Sequence, residues 1–440
     1  MNAAPAAPGR VTLSPGGVAD GSVVVPGDKS LSHRSLIVSA LAPGDYTLTG
    51  MSDGADVACT AGVIEALGVP VTRGTQGRPW TVGEGSLSEP ADVLDCGNSG
   101  TSMRLLAGLL AGQPFLSVLT GDVSLRRRPM ARVTSPLRAM GAAVDGRDGG
   151  RLAPLTIRGG ALQGIEHRSP VPSAQVKSCV LLAGLAAHGD VVVREEHRSR
   201  DHTERMLSAF GVELEVMDDG VAMRGGQSLT APADRTLSVP ADISAAAFFL
   251  VLAALRPGGS LTVPGVGVNP TRDGVLEALE SAGVSVAQGD AREVAGEPVA
   301  DLSVEDCTLR PFEVGGALVP RLIDEIPVLA VLAARCPGVS SFRDAADLRA
   351  KESDRNTQVV RTLTALGVRV DERPDGFDVH GQPDGPFAGG ATIDAAHDHR
   401  IAMSAAVAAT CADAPVHLTG TDTVASSFPG FFGTLERCLV

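Results

Sequence analysis

The stretch ALGVPV at residues 66–71 combines a helix end, a glycine and the start of a β-branched strand. The same arrangement recurs in AMGAAV (139–144), AFGVEL (209–214), SAGVSV (281–286) and ALGVRV (365–370). The central glycines are Gly68, Gly141, Gly211, Gly283 and Gly367. Glycine in this place is suited to end a helix in the left-handed conformation. The copies lie roughly 70 to 85 residues apart, which indicates a repeated α/β unit.

A second series of segments interleaves with these glycines. Each member is rich in Ala, Leu and Gly and follows a polar head. The six segments are KSLSHRSLIVSALA (29–42), GNSGTSMRLLAGLLA (97–111), SAQVKSCVLLAGLAA (173–187), ADISAAAFFLVLAAL (241–255), DEIPVLAVLAA (324–334) and DHRIAMSAAVAA (398–409). Because each is apolar nearly all round, we predict six buried helices. The two series together predict six α/β units in two similar domains, with the sixth unit split between the chain ends.

The charge balance excludes several classes of protein. Of the 440 residues, 44% are hydrophobic and 20% are charged, and the net charge is −14. An acidic chain with 3% aromatic residues lacks the basic, base-stacking surface of a nucleic-acid-binding protein. The strongest apolar run, at 245–255, is too short to span a bilayer. We therefore expect neither nucleic acid nor membrane among the partners.

The cysteines and the first residues indicate the compartment. The chain has 7 cysteines and no CxxC pair, so free thiols in a reducing cytoplasm fit best. The opening MNAAPAAPGR has no apolar core, and we interpret it as a loose tail rather than a signal peptide. The predicted localisation is cytoplasmic.

All six polar heads stand where helices are predicted to begin. Helix N-termini carry partial positive charge and unpaired N–H groups, so they suit anions. The head PGDKSLSHR (26–34) adds Lys29, Ser30 and Arg34, and buried cations are costly unless they are paired. Local cations on an acidic protein therefore predict a site for a small polyanion.

Two further heads of the first half offer anion ligands. DCGNSGTSMR (95–104) contains a Gly-rich turn around Gly100, although it is not a Walker A sequence. PVPSAQVK presents Ser173, Gln175 and Lys177, of which glutamine and serine are typical ligands of sugar or cyclitol hydroxyls and of phosphate. Both heads are consistent with the predicted polyanion site.

Two arginine-containing stretches allow two interpretations each. In LRRRPM (125–130), Arg128 and its neighbours either point at a common site or form a solvated surface. In SRDHTERML (199–207), Arg200 is a candidate ligand. The neighbouring Asp201 and Glu204 are as consistent with helix capping and local ion pairs as with a site.

The candidate acids and bases lie in the second half of the chain. LIDEIP (322–327) holds Asp324 and Glu325, AKESDR (350–355) holds Lys351, Glu352 and Arg355, and AHDHR (396–400) holds Asp398, His399 and Arg400. A carboxylate beside several cations is what proton transfer on an anionic substrate requires. Asp324 and Asp398 are alternatively helix caps, and His399 is alternatively a structural imidazole. Without HExxH or a cysteine partner for the histidines, we predict no metal site.

These motifs, in this order, resemble the 5-enolpyruvylshikimate-3-phosphate synthase family. The matching stretches are PGDKSLSHR, DCGNSGTSMRLLAG, LRRRPM, SAQVKS, SRDHTERML, LIDEIP, KESDR and DHRIAM. The resemblance covers roughly Val23 to Phe431. The related UDP-N-acetylglucosamine enolpyruvyl transferases share the fold but have Lys-Asn where this chain has Lys29-Ser30.

The resemblance implies an α/β fold of two similar domains, each with three βαβαββ repeats around buried helices, an inside-out α/β barrel. Residues 1–26 and 241–440 would form one discontinuous domain, and 27–240 the inserted one. The active site would lie in the cleft between them, where the six helix N-termini would meet.

The implied reaction transfers the carboxyvinyl group of phosphoenolpyruvate to the 5-hydroxyl of shikimate 3-phosphate and releases phosphate. It proceeds by addition and elimination, without metal or cofactor. The product leads to chorismate and the aromatic amino acids, and the family is the target of glyphosate. The resemblance also leads us to expect a monomer whose partners are these two small molecules.

The resemblance assigns roles to individual residues. Lys29, Asp324 and Glu352 would be catalytic, with Asp324 as the base for the 5-hydroxyl and Glu352 handling the methylene proton. The shikimate 3-phosphate ligands would be Lys29, Ser30, Arg34, Ser173, Ala174, Gln175, Arg200, Asp324 and Lys351. The phosphoenolpyruvate ligands would be Lys29, Gly100, Arg128, Gln175, Arg355 and Arg400.

The chain departs from the family pattern at a few positions. Ser426 stands where some members have a lysine that contacts phosphoenolpyruvate, Ala174 where some have serine, and Asp347 where some have asparagine. By resemblance, Gly100 looks like the form found in glyphosate-sensitive members, whereas Leu105 replaces a proline of some sensitive members.

Two alternative functions stay open at this point. One is a carboxyvinyl transferase of the same fold that uses another phosphorylated cyclitol or a nucleotide sugar. The other is a polyanion-binding protein without catalysis, which the carboxylates Asp324 and Glu352 disfavour, because simple anion binding would rather omit them.

Overall fold

The computed structural model describes residues 9–74 and 77–440. The tail predicted at 1–10 lies outside these residues except for its last two positions. The α-helices of the described part are α1 (Lys29–Leu41), α2 (Ala55–Ala66), α3 (Gly100–Ala111), α4 (Ala131–Ala139), α5 (Arg147–Gly150), α6 (Ala174–Gly184), α7 (His202–Ala209), α8 (Ile243–Leu255), α9 (Gly274–Ser281), α10 (Val319–Leu322), α11 (Ile326–Ala333), α12 (Arg355–Ala365), α13 (His399–Ala409) and α14 (Phe431–Arg437). Short 3₁₀ helices lie at Leu125–Arg127, Gly316–Leu318, Ala346–Ala350 and Thr421–Ser426.

The strands are numbered in chain order. The first half contains β1 (Arg10–Leu13), β2 (Gly21–Ser22), β3 (Tyr46–Thr49), β4 (Val71–Thr72), β5 (Trp80–Val82), β6 (Leu94–Asp95), β7 (Leu116–Thr120), β8 (Ala143–Gly146), β9 (Leu152–Arg158), β10 (Leu162–Gln163), β11 (Glu166–Arg168), β12 (Ala187–His188), β13 (Asp190–Arg194), β14 (Leu214–Met217), β15 (Gly220–Arg224) and β16 (Thr236–Ser238). The second half contains β17 (Leu261–Gly267), β18 (Val284–Val294), β19 (Glu297–Cys307), β20 (Glu313–Val314), β21 (Gly338–Phe342), β22 (Arg369–Arg373), β23 (Gly376–Gly381), β24 (Thr392–Asp394) and β25 (Val416–Thr419).

Six sheets of the described residues repeat one arrangement. Their strand orders are β16-β3-β5-β4, β6-β7-β9-β8, β11-β13-β15-β14, β2-β17-β19-β18, β20-β21-β23-β22 and β24-β25-β1. In each sheet two parallel strands at one edge are followed by a strand antiparallel to them. A separate short parallel pair joins β10 and β12. The predicted sixfold α/β repeat is therefore confirmed.

The chain ends complete the sixth sheet together. Strand β1 near the N-terminus pairs antiparallel with β25 near the C-terminus, with Arg10 opposite Thr419. The predicted division of the sixth repeat is thus confirmed. Two other repeats also take a strand from a distant part of the chain, since β16 pairs with β3 and β2 pairs with β17.

The described residues divide into two units. The discontinuous unit comprises the described residues up to Pro26, Ala241–Arg292 and Pro298–Val440. The inserted unit comprises Gly27–Pro240 together with Glu293–Glu297. Each unit has its own hydrophobic core, and each contains three of the six repeated sheets.

The six predicted helices are the centre of the two cores. In α8, every residue from Ile243 to Ala254 is buried. In the inserted unit α3 packs against α6, and in the discontinuous unit α11 packs against α8 and α13. Their few accessible residues lie at the ends, as with Lys29 and Ser30 of α1 or Ala174 and Gln175 of α6. The accessible polar side chains of these helices are therefore confined to their first turns.

The five signature glycines all have left-handed backbones, as predicted. Their φ angles are 98° at Gly68, 99° at Gly141, 81° at Gly211, 83° at Gly283 and 81° at Gly367. Each one follows the second helix of a repeat and turns the chain into the next strand, which is the role that glycine performs without steric cost.

We expect Gly283→Ala to lower the free energy of unfolding by about 2 kcal/mol or more, because a side chain disfavours positive φ and crowds its surroundings. A Cβ atom there would lie 2.0 Å from the carbonyl oxygen of Thr308. Urea denaturation of the purified variant measures this effect.

The matched control is Gly62→Ala inside α2, where the added Cβ meets nothing within 4 Å. That variant should keep or raise stability by up to about 1 kcal/mol, because alanine is the better helix former. Equal stability of the two variants would contradict the assigned role of the signature glycines.

Candidate active site

Side-chain caps fix the first turns of four buried helices. Asp28 accepts a hydrogen bond from the Leu31 N–H at 2.8 Å, and Ser99 accepts from the Ser102 N–H at 3.1 Å. Asp242 caps α8 and Asp398 caps α13 in the same way. Capping leaves the other N–H groups of each first turn directed outward, which suits an anion. The candidate ligands stand on or beside these turns.

Most of the predicted ligands of the inserted unit lie near the starts of α1, α3 and α6, where Arg104 joins them although it was not predicted as a ligand. We call this group the Lys29 cluster: Lys29, Ser30, Arg34, Gly100, Arg104, Arg128 and Gln175. Lys29 Nζ lies 3.1 Å from Asp56 Oδ2 at the start of α2. This carboxylate was missed by the sequence analysis, because it lies on another helix with no motif around it. Asp56 neutralises part of the lysine charge.

Arg34 is buried and its nearest partners are neutral oxygens. It donates to Thr203 Oγ1 at 2.7 Å, to Ser178 Oγ at 2.7 Å and to the Ser30 carbonyl at 2.9 Å. Burial lowers the pKa of Arg34 to about 10, although the charges of Asp28 and Glu204 oppose the shift. A buried guanidinium held by neutral groups is suited to an anionic ligand.

The Gly-rich turn brings two guanidiniums to the start of α3. Arg104 donates to Gln175 Oε1 and to the Pro129 carbonyl, and Arg128 donates to Asn98 Oδ1 at 2.5 Å. A Cβ atom on Gly100 would lie 3.2 Å from Arg104 Nη1 and 3.3 Å from Arg128 Nη1. Glycine at this position thus permits the close approach of both cations.

The three arginines of LRRRPM differ in how deeply they are buried. Arg128 is buried at the start of α3, whereas Arg127 is exposed and Arg126 is half-buried. One arginine of the run therefore joins the Lys29 cluster, and its neighbour Arg127 lies on the solvated surface.

Lys177 has a structural role and does not join the cluster. Its Nζ lies 2.9 Å from Glu195 Oε2 and 2.8 Å from Glu204 Oε1, and all three side chains are buried. Burial alone would lower the pKa of Lys177, but the two carboxylates outweigh it and raise the pKa. The interpretation of Lys177 as a ligand is wrong, because α6 directs it away from the accessible first turn.

The other residues predicted around α6 lie near its accessible start. Ser173 is the N-cap of α6, but its hydroxyl does not cap the helix. Its N–H donates to Glu195 Oε1 at 3.1 Å, and Ala174 and Gln175 follow in the first turn. Arg200 is half-buried just before α7.

The predicted ligands and acids of the discontinuous unit also converge. We call this group the Arg355 cluster: Asp324, Lys351, Glu352, Arg355, Asp398 and Arg400. Arg355 Nη1 lies 3.1 Å from Asp324 Oδ1, its Nη2 2.5 Å from Glu352 Oε2 and its Nε 2.8 Å from Asp398 Oδ2. Lys351 Nζ lies 3.4 Å from Asp324 Oδ1.

Arg355 holds this cluster together. It is 1% exposed. Burial alone would lower its pKa, but Asp398, Glu352 and Asp324 outweigh it and raise the pKa. Asp398 both caps α13 and binds Arg355, so the two interpretations of this residue are compatible. The cluster presents a fixed cation beside the two candidate acid–base carboxylates.

A second buried ion pair, between Arg272 and Glu325, lies behind Arg400. Arg272 Nη1 lies 2.7 Å from Glu325 Oε2, and Arg400 Nη1 lies 3.5 Å from Glu325 Oε1. Glu325 lies beside Asp324 in the motif LIDEIP, whereas Arg272 was not predicted, because its surroundings, NPTRDG, match no motif.

Over residues 9–74 and 77–440, no group of three or more His, Cys, Asp and Glu side chains could hold a metal ion. All seven cysteines are free thiols. None of the described helices is both long and apolar enough to cross a membrane.

The chain matches the family model for EPSP synthase (3-phosphoshikimate 1-carboxyvinyltransferase) over residues 13–435. The chain belongs to this family. A relative named 3-phosphoshikimate 1-carboxyvinyltransferase from Citrifermentans bemidjiense is 49% identical over 97% of this chain and 98% of its own length. One of the same name from Pelotomaculum thermopropionicum is 50% identical over 96% of each chain.

Solved structures agree with the fold. An EPSP synthase from Acinetobacter baumannii has a TM-score of 0.86 and 40% identity, with 98% of both chains covered. The enolpyruvyl transferase NikO from Streptomyces tendae has a TM-score of 0.79 at 19% identity over 98% of both chains, and this likeness concerns the fold alone. The predicted family and fold class are confirmed.

Lys177→Met should lower the free energy of unfolding by about 3 to 5 kcal/mol, because it leaves the buried carboxylates of Glu195 and Glu204 without their cation. Lys351→Met serves as the comparison, since Lys351 is a quarter exposed and its ion pair is worth about 1 kcal/mol or less. Urea denaturation of both variants gives the two values. A small loss for Lys177→Met would show that this lysine has no structural role.

Proposed function

We propose that the chain transfers the carboxyvinyl group of phosphoenolpyruvate to the 5-hydroxyl of shikimate 3-phosphate and releases inorganic phosphate. Membership of the EPSP synthase family over nearly the whole length supports the reaction. The observation that carries the proposal is the Arg355 cluster, where Asp324 and Glu352 lie in direct contact with a buried arginine. Acid–base carboxylates beside fixed cations fit proton transfer on anionic substrates.

Shikimate 3-phosphate is bound by the side chains near the starts of α1 and α6. Lys29, Ser30 and Arg34 supply two charges and a hydroxyl, and Ser173 and Gln175 supply hydrogen-bonding groups. The other proposed ligands are Ala174, Arg200, Asp324 and Lys351. Accessibility supports this assignment, since Lys29, Ser30, Ala174 and Gln175 are the accessible first-turn residues of two buried helices.

Phosphoenolpyruvate is bound by arginines that can match its carboxylate and phosphate. Arg128 and Gly100 lie at the start of α3, while Arg355 and Arg400 lie at the starts of α12 and α13. Lys29 and Gln175 complete the proposed set. The planar fork of arginine suits both anionic groups of this substrate.

The reaction has two stages in which the acid–base groups act in turn. In the addition, the 5-oxygen attacks C2 of phosphoenolpyruvate, Asp324 takes the hydroxyl proton and the methylene carbon gains a proton. In the elimination, the methyl carbon loses a proton and the bond between C2 and the phosphate oxygen breaks. Glu352 exchanges the proton at this carbon, and the neighbouring cations stabilise the departing phosphate.

The departures from the family pattern affect affinity rather than the chemistry. Ser426 is half-buried at the end of the 3₁₀ helix Thr421–Ser426, so the charge of a lysine is absent there. Ala174 brings no hydroxyl to the start of α6. The acid–base carboxylates and the arginines proposed for phosphoenolpyruvate are all present.

We further propose a cytoplasmic monomer that works without metal or organic cofactor. Free thiols at all seven cysteines support a reducing compartment. We also propose that each unit of the chain is one of the two predicted domains. The placement of both clusters in one cleft stays a prediction.

The direct test measures phosphate release from phosphoenolpyruvate in metal-free buffer, with and without shikimate 3-phosphate. Release that depends on the acceptor, with the enolpyruvyl product identified by mass, supports the proposal. Release with a different phosphorylated cyclitol or a nucleotide sugar only would favour the alternative transferase. Binding of shikimate 3-phosphate without turnover would favour a binding protein.

Glu352→Gln should lower kcat by roughly 100-fold or more, because an amide cannot exchange the methylene proton. The matched control is Glu372→Gln on β22, a partly exposed carboxylate that pairs with Arg349 at 3.0 Å. Steady-state phosphate release measures both variants. The assigned role of Glu352 is wrong if its variant retains full turnover.

A further inference from the structure

Glu325 is a fully buried carboxylate shared between two arginines. Its side chain is 0% exposed, and its Oε2 lies 2.7 Å from Arg272 Nη1. Its Oε1 accepts from Ser244 Oγ and lies 3.5 Å from Arg400 Nη1. Burial alone would raise the pKa of Glu325, but Arg272 and Arg400 outweigh it and hold the pKa below its usual value. The carboxylate is therefore an anion whose charge is divided between two cations.

Arg272 is rigidly held on the loop between β17 and α9. Its side chain is 3% exposed, and it also bonds Ser244 Oγ. The loop itself is fixed, because the Arg272 N–H donates to the Asn269 carbonyl at 2.7 Å. This side chain thus offers Glu325 a preorganised partner.

Arg400 contacts the same carboxylate. Its Nη1 donates to the Asp324 carbonyl at 3.0 Å and lies 3.5 Å from Glu325 Oε1. The tighter contact of Glu325 is the one with Arg272. Because Arg272 holds the Glu325 carboxylate, Glu325 attracts Arg400 enough to orient it. Other N–H donors of Arg400 then stay available to a ligand.

We propose that Arg272 is a positioning residue for phosphoenolpyruvate binding, because it holds the Glu325 carboxylate that orients Arg400. The proposal rests on the proposed function, in which Arg400 binds phosphoenolpyruvate. Arg272 acts through Glu325 and is not a catalytic residue. If Arg272 is removed, the buried carboxylate is left to Arg400, which then turns toward Glu325 and away from the substrate.

The test is Arg272→Met. The KM for phosphoenolpyruvate should rise roughly tenfold or more, because misplacing a binding group by about 1 Å has effects of this order. The KM for shikimate 3-phosphate should change less than about twofold, because Arg400 is not among its proposed ligands. A general loss of structure would affect both substrates together, so the split between the two KM values separates positioning from a merely structural role.

The double variant Arg272→Met/Glu325→Gln keeps the test decisive if the single variant folds poorly. Removing the carboxylate charge as well frees Arg400, so the KM for phosphoenolpyruvate should recover at least about threefold relative to Arg272→Met. Arg272→Lys should lie between wild type and Arg272→Met, because lysine keeps the charge but not the planar fork.

The matched control is Arg292→Met. Arg292 also pairs with two carboxylates, at 2.7 Å from Asp290 and 3.4 Å from Asp301, but it lies on β18 and is partly exposed. Neither KM should change by more than about twofold in this variant.

Calorimetric titration of each variant with phosphoenolpyruvate alone separates this proposal from the proposed function. If wild type binds phosphoenolpyruvate but releases no phosphate with shikimate 3-phosphate, the proposed reaction fails, and the titration still tests Arg272. Weaker binding to Arg272→Met with recovery in the double variant supports the positioning role. Unchanged binding in both, or equal changes in the KM values of both substrates, overturns it.

Discussion

The structure depends on six helices that are buried along their length and whose accessible polar residues lie only at their starts. A buried helix satisfies its internal backbone groups, but the N–H groups of its first turn need another partner. Side chains of Asp28, Ser99, Asp242 and Asp398 satisfy some of them, and the remaining ones favour anions. The anion-binding property of the chain is therefore a consequence of how its cores are built.

Cations beside those first turns are partly buried and need partners, and the two units provide partners of different kinds. In the inserted unit, Arg34 is held by neutral oxygens, so much of its charge is available to a ligand. In the discontinuous unit, Arg355 contacts three carboxylates and Arg400 shares Glu325 with Arg272. The first arrangement suits binding, whereas the second keeps acid–base groups and cations in one place, as the proposed chemistry needs.

Sequence patterns predicted the repeat well, because its determinants are local. The glycine after each second helix adopts a left-handed backbone. A helix that is apolar all round is buried in the core. The division of the sixth repeat between the chain ends was predicted from the number of these helices and glycines. The pairing of β1 with β25 confirmed it. The ligand motifs were visible too, since they occupy the first turns of the predicted helices.

Partners that lie far apart in the chain could not be predicted from the sequence. Asp56 and Arg272 match no motif, and their importance comes from side chains brought near by tertiary packing. Lys177 was misinterpreted for a related reason. Its direction around the axis of α6 decides whether it meets solvent or two buried carboxylates. The direction in which a helical side chain points, and the ion pairs between distant segments, thus could not be predicted from this sequence.

The most direct measurement of the central claim is the melting temperature of the chain with shikimate 3-phosphate and with unphosphorylated shikimate at the same concentration. Binding to the folded state alone raises the melting temperature, and tighter binding at the same ligand concentration raises it more. If the first turns and their cations exist to hold anions, the phosphorylated compound should stabilise the chain strongly and shikimate should do so weakly. Equal shifts, or no shift with either compound, would contradict the account.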